Sequence, residues 1–322
     1  SITSNVVNEG ILSGSGSMGG LHNKGIVSPG TDASFATLNV NGHYSSDGGR
    51  LVLHQELADD NTKGDRLVIS GNTSGTTEVS VVNRGGMGDY TVNGIKVISV
   101  GGQSDGVFNL NGDYTNYRGD QAVVAGAFAY TLEKGGVPNS NATAAAFASV
   151  LEADMSDNID GNWYLRSQMK GYNPGPDPEP TPEYQAGVPL YGSASGAIAS
   201  LNRGGFASFG SRMNAGGSVA GSGTQSDQND NQSSNAAQRS KSFWGQVTGG
   251  YSFFTPKGSV SDNTYGSHDW RLQAGLDGQF IDSANGSLFG SIWLDYTRSN
   301  IDVWSRVGNG KVNVNGYGFG GA

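Results

Sequence analysis

The chain has no cysteine among its 322 residues, which excludes disulfides, zinc fingers and thiol catalysis. The same lack suits a chain that crosses a membrane unfolded, since no disulfide can then obstruct export. No run of about twenty apolar residues occurs, so no helix spans a membrane. Basic residues are few and scattered: 19 Lys and Arg stand against 28 Asp and Glu, giving a formal net charge of −9. Nucleic acid needs a clustered basic footprint and is excluded as a partner.

Catalytic and ligand-binding patterns are equally scarce. His22, His43, His54 and His268 show no metal-ligand spacing. Asp59, Asp60 and Asp65 stand among Asn61, Thr62 and Gly64, where a turn explains them better than acid–base chemistry or calcium. Gly14 to Gly20 is followed by no Lys-Ser/Thr and by no helix, so it is not a phosphate loop. No Gly-x-Ser-x-Gly elbow stands between a strand and a helix. The chain is therefore expected to be no enzyme and to hold no cofactor or metal.

What is present is strand periodicity. Trp270, Leu272, Ala274, Leu276, Gly278 and Phe280 fall on one face of an extended segment, with Arg271, Gln273, Gly275, Asp277 and Gln279 on the other. Phe243, Gly245, Val247, Gly249, Tyr251 and Phe253 alternate likewise, up to a turn at Pro256, Lys257 and Gly258. Two further segments are weaker: Phe289 and Trp293 fall on the off face of Leu288 to Tyr296, and Lys311 to Ala322 loses phase near Gly316. Alternation sustained over about ten residues is the pattern of a transmembrane β-barrel, whereas strands of a soluble sandwich are shorter, at about five or six. Single-chain barrels begin at about eight strands. The chain is accordingly expected to be a piece of a longer protein, opening within a strand-like repeat at Ser1-Ile2-Thr3.

Residues 1–170 are of another kind. Short β-runs such as Ala36 to Val40, Arg50 to Leu53, Asp65 to Ile69 and Gly94 to Ile98 are separated by Gly, Asn, Asp and Ser clusters. Each is too short to bury a core alone, and stacked coils of a β-solenoid solve that problem. A two-sheet sandwich would admit the same runs. The aromatic residues Tyr44, Tyr90, Phe108, Tyr114, Tyr117 and Tyr130 are irregularly spaced, so no binding ladder stands out. Five of the nine prolines, Pro174 to Pro182, alternate with other residues in an extended spacer. Residues 188–213 then carry apolar residues near helical spacing, weakened by Gly192, Gly196, Gly204 and Gly205 at about 1 kcal/mol each. The Gly-, Ser-, Asn- and Gln-rich stretch after them reads as a connector.

The order of these parts resembles the C-terminal portion of the monomeric type V autotransporters. Gly25-Ile26-Val27-Ser28-Pro29-Gly30 resembles a rung of that family, and Asp65 to Gly75 followed by Thr76 to Val82 resembles its autochaperone stretch. Asn162-Trp163-Tyr164-Leu165 resembles the strand that closes the passenger, Tyr184 to Leu201 the segment leading into the linker helix, and Phe243 to Gly250 the first barrel strand. The resemblance implies an all-β chain. Residues 1–170 would be the end of a right-handed parallel β-helix passenger with its autochaperone, 171–187 a Pro-rich linker, and 188–213 a linker helix in the barrel lumen. Residues 214–242 would be a flexible connector and 243–322 the first strands of a truncated outer-membrane barrel.

It further implies that the barrel mediates passenger translocation and anchors the passenger at the cell surface of a Gram-negative bacterium. Folding-template residues would be Asp65, Leu67, Ile69, Gly71, Trp163 and Leu165, and linker-helix residues Leu190, Ile198 and Leu201. Implied partners are outer-membrane lipid, the barrel-assembly machinery, periplasmic chaperones and a host-surface or matrix ligand. A surface adhesin or polysaccharide-binding solenoid is the alternative. The longer connector and the insertion at 137–159 depart from the family pattern.

Overall fold

The computed structural model describes residues 1–135, 160–169, 182–199, 201, 242–257, 259, 261–283 and 286–321. The insertion at 137–159, the spacer through 181, residues 202–213 of the expected helix and the connector through 241 lie outside them. The described chain is all-β with one short helix, and it divides into two compact units, Ser1–Val188 and Pro189–Ala322.

In the first unit the strands pair in parallel with segments one turn of chain away. One ladder runs through β3 (Gly16–Met18), β6 (Thr37–Val40), β8 (Arg66–Ile69) and β10 (Ile95–Val100). Leu38 pairs with Leu67 and Leu67 with Ile98, so the chain returns to the same position after 29 and then 31 residues. A second sheet joins β1 (Val6–Asn8), β4 (Leu21–Asn23), β7 (Tyr44–Gln55) and β9 (Thr73–Asn83), with β2 (Ile11–Ser13), β5 (Ile26–Ser28) and β11 (Val107–Leu110) along its other half. Here Ile11 pairs with Ile26, a return of 15 residues. Strands of three or four residues are stable because each one's apolar side chain rests on its partner's. Leu38, Leu67 and Ile98 form one buried column, and Val27, Leu51, Val79 and Leu110 another. Full burial of each such side chain stabilises by about 1.5–3 kcal/mol.

The corners are set by residues that permit close approach. A Cβ on Gly71 would lie 2.7 Å from the carbonyl oxygen of Gly42, to which Gly71 N donates at 3.0 Å. Gly75, at φ +77°, would place a Cβ 2.0 Å from the carbonyl oxygen of Ser46. At the corner between β4 and β5, Asn8 Nδ2 donates to Asn23 Oδ1 at 2.9 Å, and Asn23 Nδ2 to the carbonyl of Arg50 at 3.3 Å.

The parallel ladder ends in an antiparallel one. β15 (Trp163–Arg166) pairs antiparallel with β10, followed by β14 (Phe128–Lys134), β13 (Gln121–Ala125) and β12 (Tyr114–Thr115). Such a reversal covers the edge that a stack of parallel strands would otherwise leave open.

The second unit is an antiparallel meander of β16 (Ser242–Phe254), β17 (Thr264–Ser283), β18 (Gly286–Ser305) and β19 (Gly308–Gly321), open among the described residues with β16 and β19 as its edges. β19 keeps register with β18 straight through Gly316. The loss of phase in its sequence has another cause. Along the exposed face, Lys311, Asn313 and Asn315 give way to Tyr317 and Phe319, while on the covered face Val312 and Val314 give way to Gly316, Gly318 and Gly320. Apolarity changes sides because the surroundings change along the strand, with no break in the ladder.

Candidate functional site

The residues expected to template folding lie on or beside β8 and on β15, the two strands of the first unit that flank β10. Asp65, Leu67 and Ile69 lead into and form β8, and Ile98 of β10 pairs with both Leu67 and Trp163. Leu165 pairs with Ile95, and Asp65, Leu67, Ile69 and Leu165 are all buried. Tyr44 stacks on Phe108 at 5.8 Å, and Phe108 meets Trp163 edge-on at 5.3 Å. Tyr44, Phe108 and Tyr130 are therefore core residues and belong to no exposed binding ladder.

Asp65 is fully buried, and its carboxylate is satisfied by groups from two other turns of the chain. Ala36 N donates to Oδ1 at 2.8 Å, His54 N donates to Oδ2 at 2.9 Å, and His54 Nδ1 lies 2.9 Å from Oδ2. Asp60 accepts from the backbone N–H of Val92, Asn93 and Gly94 at 3.0, 2.8 and 2.9 Å. Neighbouring acids thus do different tasks: Asp59 closes its own turn by accepting from Asn61 N at 2.9 Å, and the other two tie distant loops. Nothing in the spacing of these acids distinguishes the three. Arg166, which belongs to the closing stretch Asn162 to Ser167 but is assigned no role of its own by the resemblance, is buried with Nη1 3.1 Å from Glu133 and Nε 3.2 Å from the carbonyl of Asn93.

Residues 182–187 close this cap. Pro182 bridges Gln168 and Tyr184 bridges Phe128, both antiparallel, and Glu183 N donates to the carbonyl of Ser167 at 2.8 Å. The Glu183 side chain is 1% exposed, and neither carboxylate oxygen has a hydrogen-bond partner among the described residues. Burial pushes this carboxyl up to about 7 from 4.5; Arg118 opposes the shift while Asp120 and Glu133 add to it. Because the folded value lies above the unfolded one, the folded state takes up a proton, and stability falls as pH rises from about 4.5 to about 7. The expected loss is about 3 kcal/mol. Glu183→Gln removes this slope, which the difference between wild-type and variant thermal unfolding across that range measures; parallel curves would show that Glu183 does not titrate there.

In the second unit, helix α1 (188–199, continued at Leu201) lies on one face of the sheet. Leu190 rests over Gly310, Ser193 Oγ accepts from Asn263 Nδ2 at 2.7 Å, Ala197 is fully buried, and Arg271 Nη2 donates to the carbonyl of Leu201. These positions follow the i, i+3, i+4 stripe of a helix. A Cβ on Gly196 would stand 2.4 Å from the Tyr265 hydroxyl, so the glycine that weakens the helix is also what lets the sheet approach it. Of the expected helix residues, Leu190 and Leu201 meet the sheet, whereas Ile198 is 46% exposed and Ala197 takes the buried place. Arg271 also donates from Nε to Thr297 Oγ1 at 3.0 Å, which fixes the guanidinium between the sheet and Leu201.

The two faces of the sheet are opposites. The helix-side face carries Asp269, Arg271, Gln273, Thr297 and Ser299, and Ser267 Oγ donates to Asp269 at 3.0 Å. Its two tryptophans fill gaps over glycines, Trp244 over Gly275 and Trp293 over Gly320, which explains why Trp293 stands on the off face in the sequence. The other face exposes Phe243, Val247, Trp270, Leu272, Leu276, Ile292, Leu294, Tyr317 and Phe319. So broad an apolar surface marks a partner or a membrane. No helix among the described residues is long and apolar enough to cross a membrane.

The family model of the Autochaperone Domain Type 1 matches residues 21–132, the stretch containing β8, β10 and the Asp65 network. The chain is 41% identical over 292 residues, 89% of its length, to the Adhesin BmaC autotransporter of Brucella suis biovar 1 (strain 1330). It belongs to the type V autotransporters. This autotransporter chain is also 40% identical over 107 residues, 33% of its length, to Autotransporter adhesin AIDA-I of Escherichia coli. It spans 8% of the length of each of these two relatives.

Proposed function

We propose that this autotransporter segment folds and anchors a secreted passenger at the bacterial outer membrane. Residues 1–170 are read as the end of a right-handed parallel β-helix passenger with its autochaperone, and 243–322 as strands of an outer-membrane β-barrel through which the passenger passes. The helix is then a linker in the barrel lumen. The observation that carries this reading is the division of one sheet into an exposed apolar face and a polar face covered by a helix. A bilayer demands that division, since side chains on the lipid face meet hydrocarbon while those opposite meet the lumen.

Under this reading Asp65, Leu67, Ile69, Gly71, Trp163 and Leu165 form the template on which earlier turns of the passenger fold outside the cell, and folding there opposes back-sliding. Leu190, Ala197 and Leu201 hold the linker against the barrel wall. The partners are outer-membrane lipid, and during biogenesis the barrel-assembly machinery and periplasmic chaperones that the family resemblance implies. The names of both relatives support adhesion as the task of the whole protein.

The test is topological, and the absence of native cysteine makes it clean. In the full-length protein in membranes, cysteines at Leu272 and Leu276 react with a lipid-soluble maleimide and resist a charged, water-soluble one. Cysteines at Asp269 and Asp295, half-buried on the polar face, show the reverse preference. Equal reaction of all four with the water-soluble reagent overturns the membrane reading.

A further inference from the structure

We propose that Arg298 and the asparagines beside it form a binding site for the phosphate of an anionic lipid headgroup on the outer face of the sheet. The inference rests on the reading of that sheet as membrane-spanning. Trp270 meets Tyr296 edge-on at 5.2 Å, and Tyr296 meets Tyr317 at 5.1 Å, so three rings form a continuous row across β17, β18 and β19. On one side of the row the same face carries Leu272, Leu276, Ile292, Leu294 and Phe319. On the other side it carries Arg298, Asn300, Asn313, Asn315 and His268, with the exposed rings of Tyr251, Phe253 and Trp304 towards the strand ends. Tyr and Trp bridge hydrocarbon and water, so this row marks the membrane interface and places Arg298 at headgroup level.

Arg298 is exposed and makes no hydrogen bond or ion pair among the described residues. The other cations of the sheet are engaged: Lys311 lies 3.1 Å from Asp302, Arg306 lies 2.8 Å from Asp262, and Arg271 holds Leu201 and Thr297. An arginine on the lipid face costs about 2–4 kcal/mol at the bilayer midplane and close to nothing at the interface. Its fork of donors there matches a phosphate in two bonds, which a lone water shell does not replace in geometry.

The neighbours extend the site. Asn315 is the register partner of Arg298 on β19, one strand spacing of about 4.8 Å away. Its Oδ1 lies 3.2 Å from the Tyr296 hydroxyl, which donates to it, and that leaves the Asn315 amide NH2 turned to solvent as a donor. Asn300 and Asn313 pair with each other two residues further along, with His268 opposite Asn300 and its ring 4.6 Å from that of Tyr251. Donors and one uncompensated positive charge converge on a patch with no carboxylate until Asp302, which Lys311 neutralises.

The experiment uses the full-length protein reconstituted in phosphatidylcholine bilayers containing bis-phosphorylated lipid A, with the lipid retained after detergent exchange counted by mass spectrometry. The wild type retains lipid A, and Arg298→Gln retains about tenfold less, the worth of one charge-assisted hydrogen bond. Lys257→Gln, in the exposed turn after β16, retains it as the wild type does. Lipid A stripped of its phosphates is retained poorly by all three. Inorganic phosphate in the buffer does not displace the bound lipid; displacement would show a free-phosphate site and overturn the lipid assignment. Equal retention by wild type and Arg298→Gln overturns the site. The L272C labelling described above separates the two readings: L272C shielded from the water-soluble reagent together with equal retention removes only the Arg298 site, whereas free labelling removes the membrane reading and the site with it.

Discussion

Replacing Leu67 and Ile69 together by aspartate leaves the first unit protease-sensitive while the four-stranded sheet of the second remains folded. Both side chains are buried, at 0% and 1% exposure, and sit in columns between Leu38 and Ile98 and between Val40 and Val100. Each substitution removes about 1.5–3 kcal/mol of apolar burial. Each also places a carboxylate where no cation can reach it, at a further several kcal/mol. The sum matches or exceeds the 5–15 kcal/mol by which a domain of this kind is stable. The first unit unfolds, and the second, with its own hydrophobic cluster of Ala197, Tyr265, Ile301 and Val303, does not. The measurements are limited proteolysis of the first unit and, under the proposed membrane reading, heat-modifiable migration of the second in the same sample. Unchanged protease resistance would falsify the placement of the template in β8.

Removing the Asp65 carboxylate gives the second large effect. Asp65→Ala strands three groups that it now satisfies, the N–H of Ala36, the N–H of His54 and the His54 ring nitrogen, around a carboxylate that is itself fully buried. At about 1–3 kcal/mol for each buried donor left without a partner, the loss is about 3–5 kcal/mol. Asp65→Asn is also destabilising, because its amide presents a donor to one of those donors. Urea unfolding of the first unit, followed through Trp163 fluorescence, reads both. A change below about 1 kcal/mol in Asp65→Ala would mean that water or another acceptor replaces the carboxylate.

The sequence was most legible where one physical demand acts along a whole segment. Trp270 to Leu276 alternates because a sheet face must be apolar on one side and polar on the other, and the pattern survives in exposure residue by residue. Leu67 and Ile69 read as core because nothing but burial favours such residues between clusters of Gly, Asn and Ser. The glycines of the helix misled, since propensity counts only the chain's own entropy, whereas Gly196 is there for the Tyr265 hydroxyl that comes from β17. Ile198 misled in the other direction. A large side chain suits the core in general, but the sheet approaches this helix closely, and Ser193, Gly196 and Ala197 fit where Ile198 would not.

The order of materials along the chain, the absence of cysteine chemistry, the helix-forming stripe and the two-faced strands were determined by the sequence itself, because composition and periodicity respond to the solvent that each segment meets. Which acid would tie which loop, which end of β19 would be apolar outward, and which side chains would meet across turns of 29 and 31 residues were decided only by the tertiary structure. Those choices depend on partners far away in the chain. Asp60 and Asp65 are adjacent to the same turn and chemically identical, and only the loop that each one faces, Val92 to Gly94 for the first and Ala36 with His54 for the second, gives them different work.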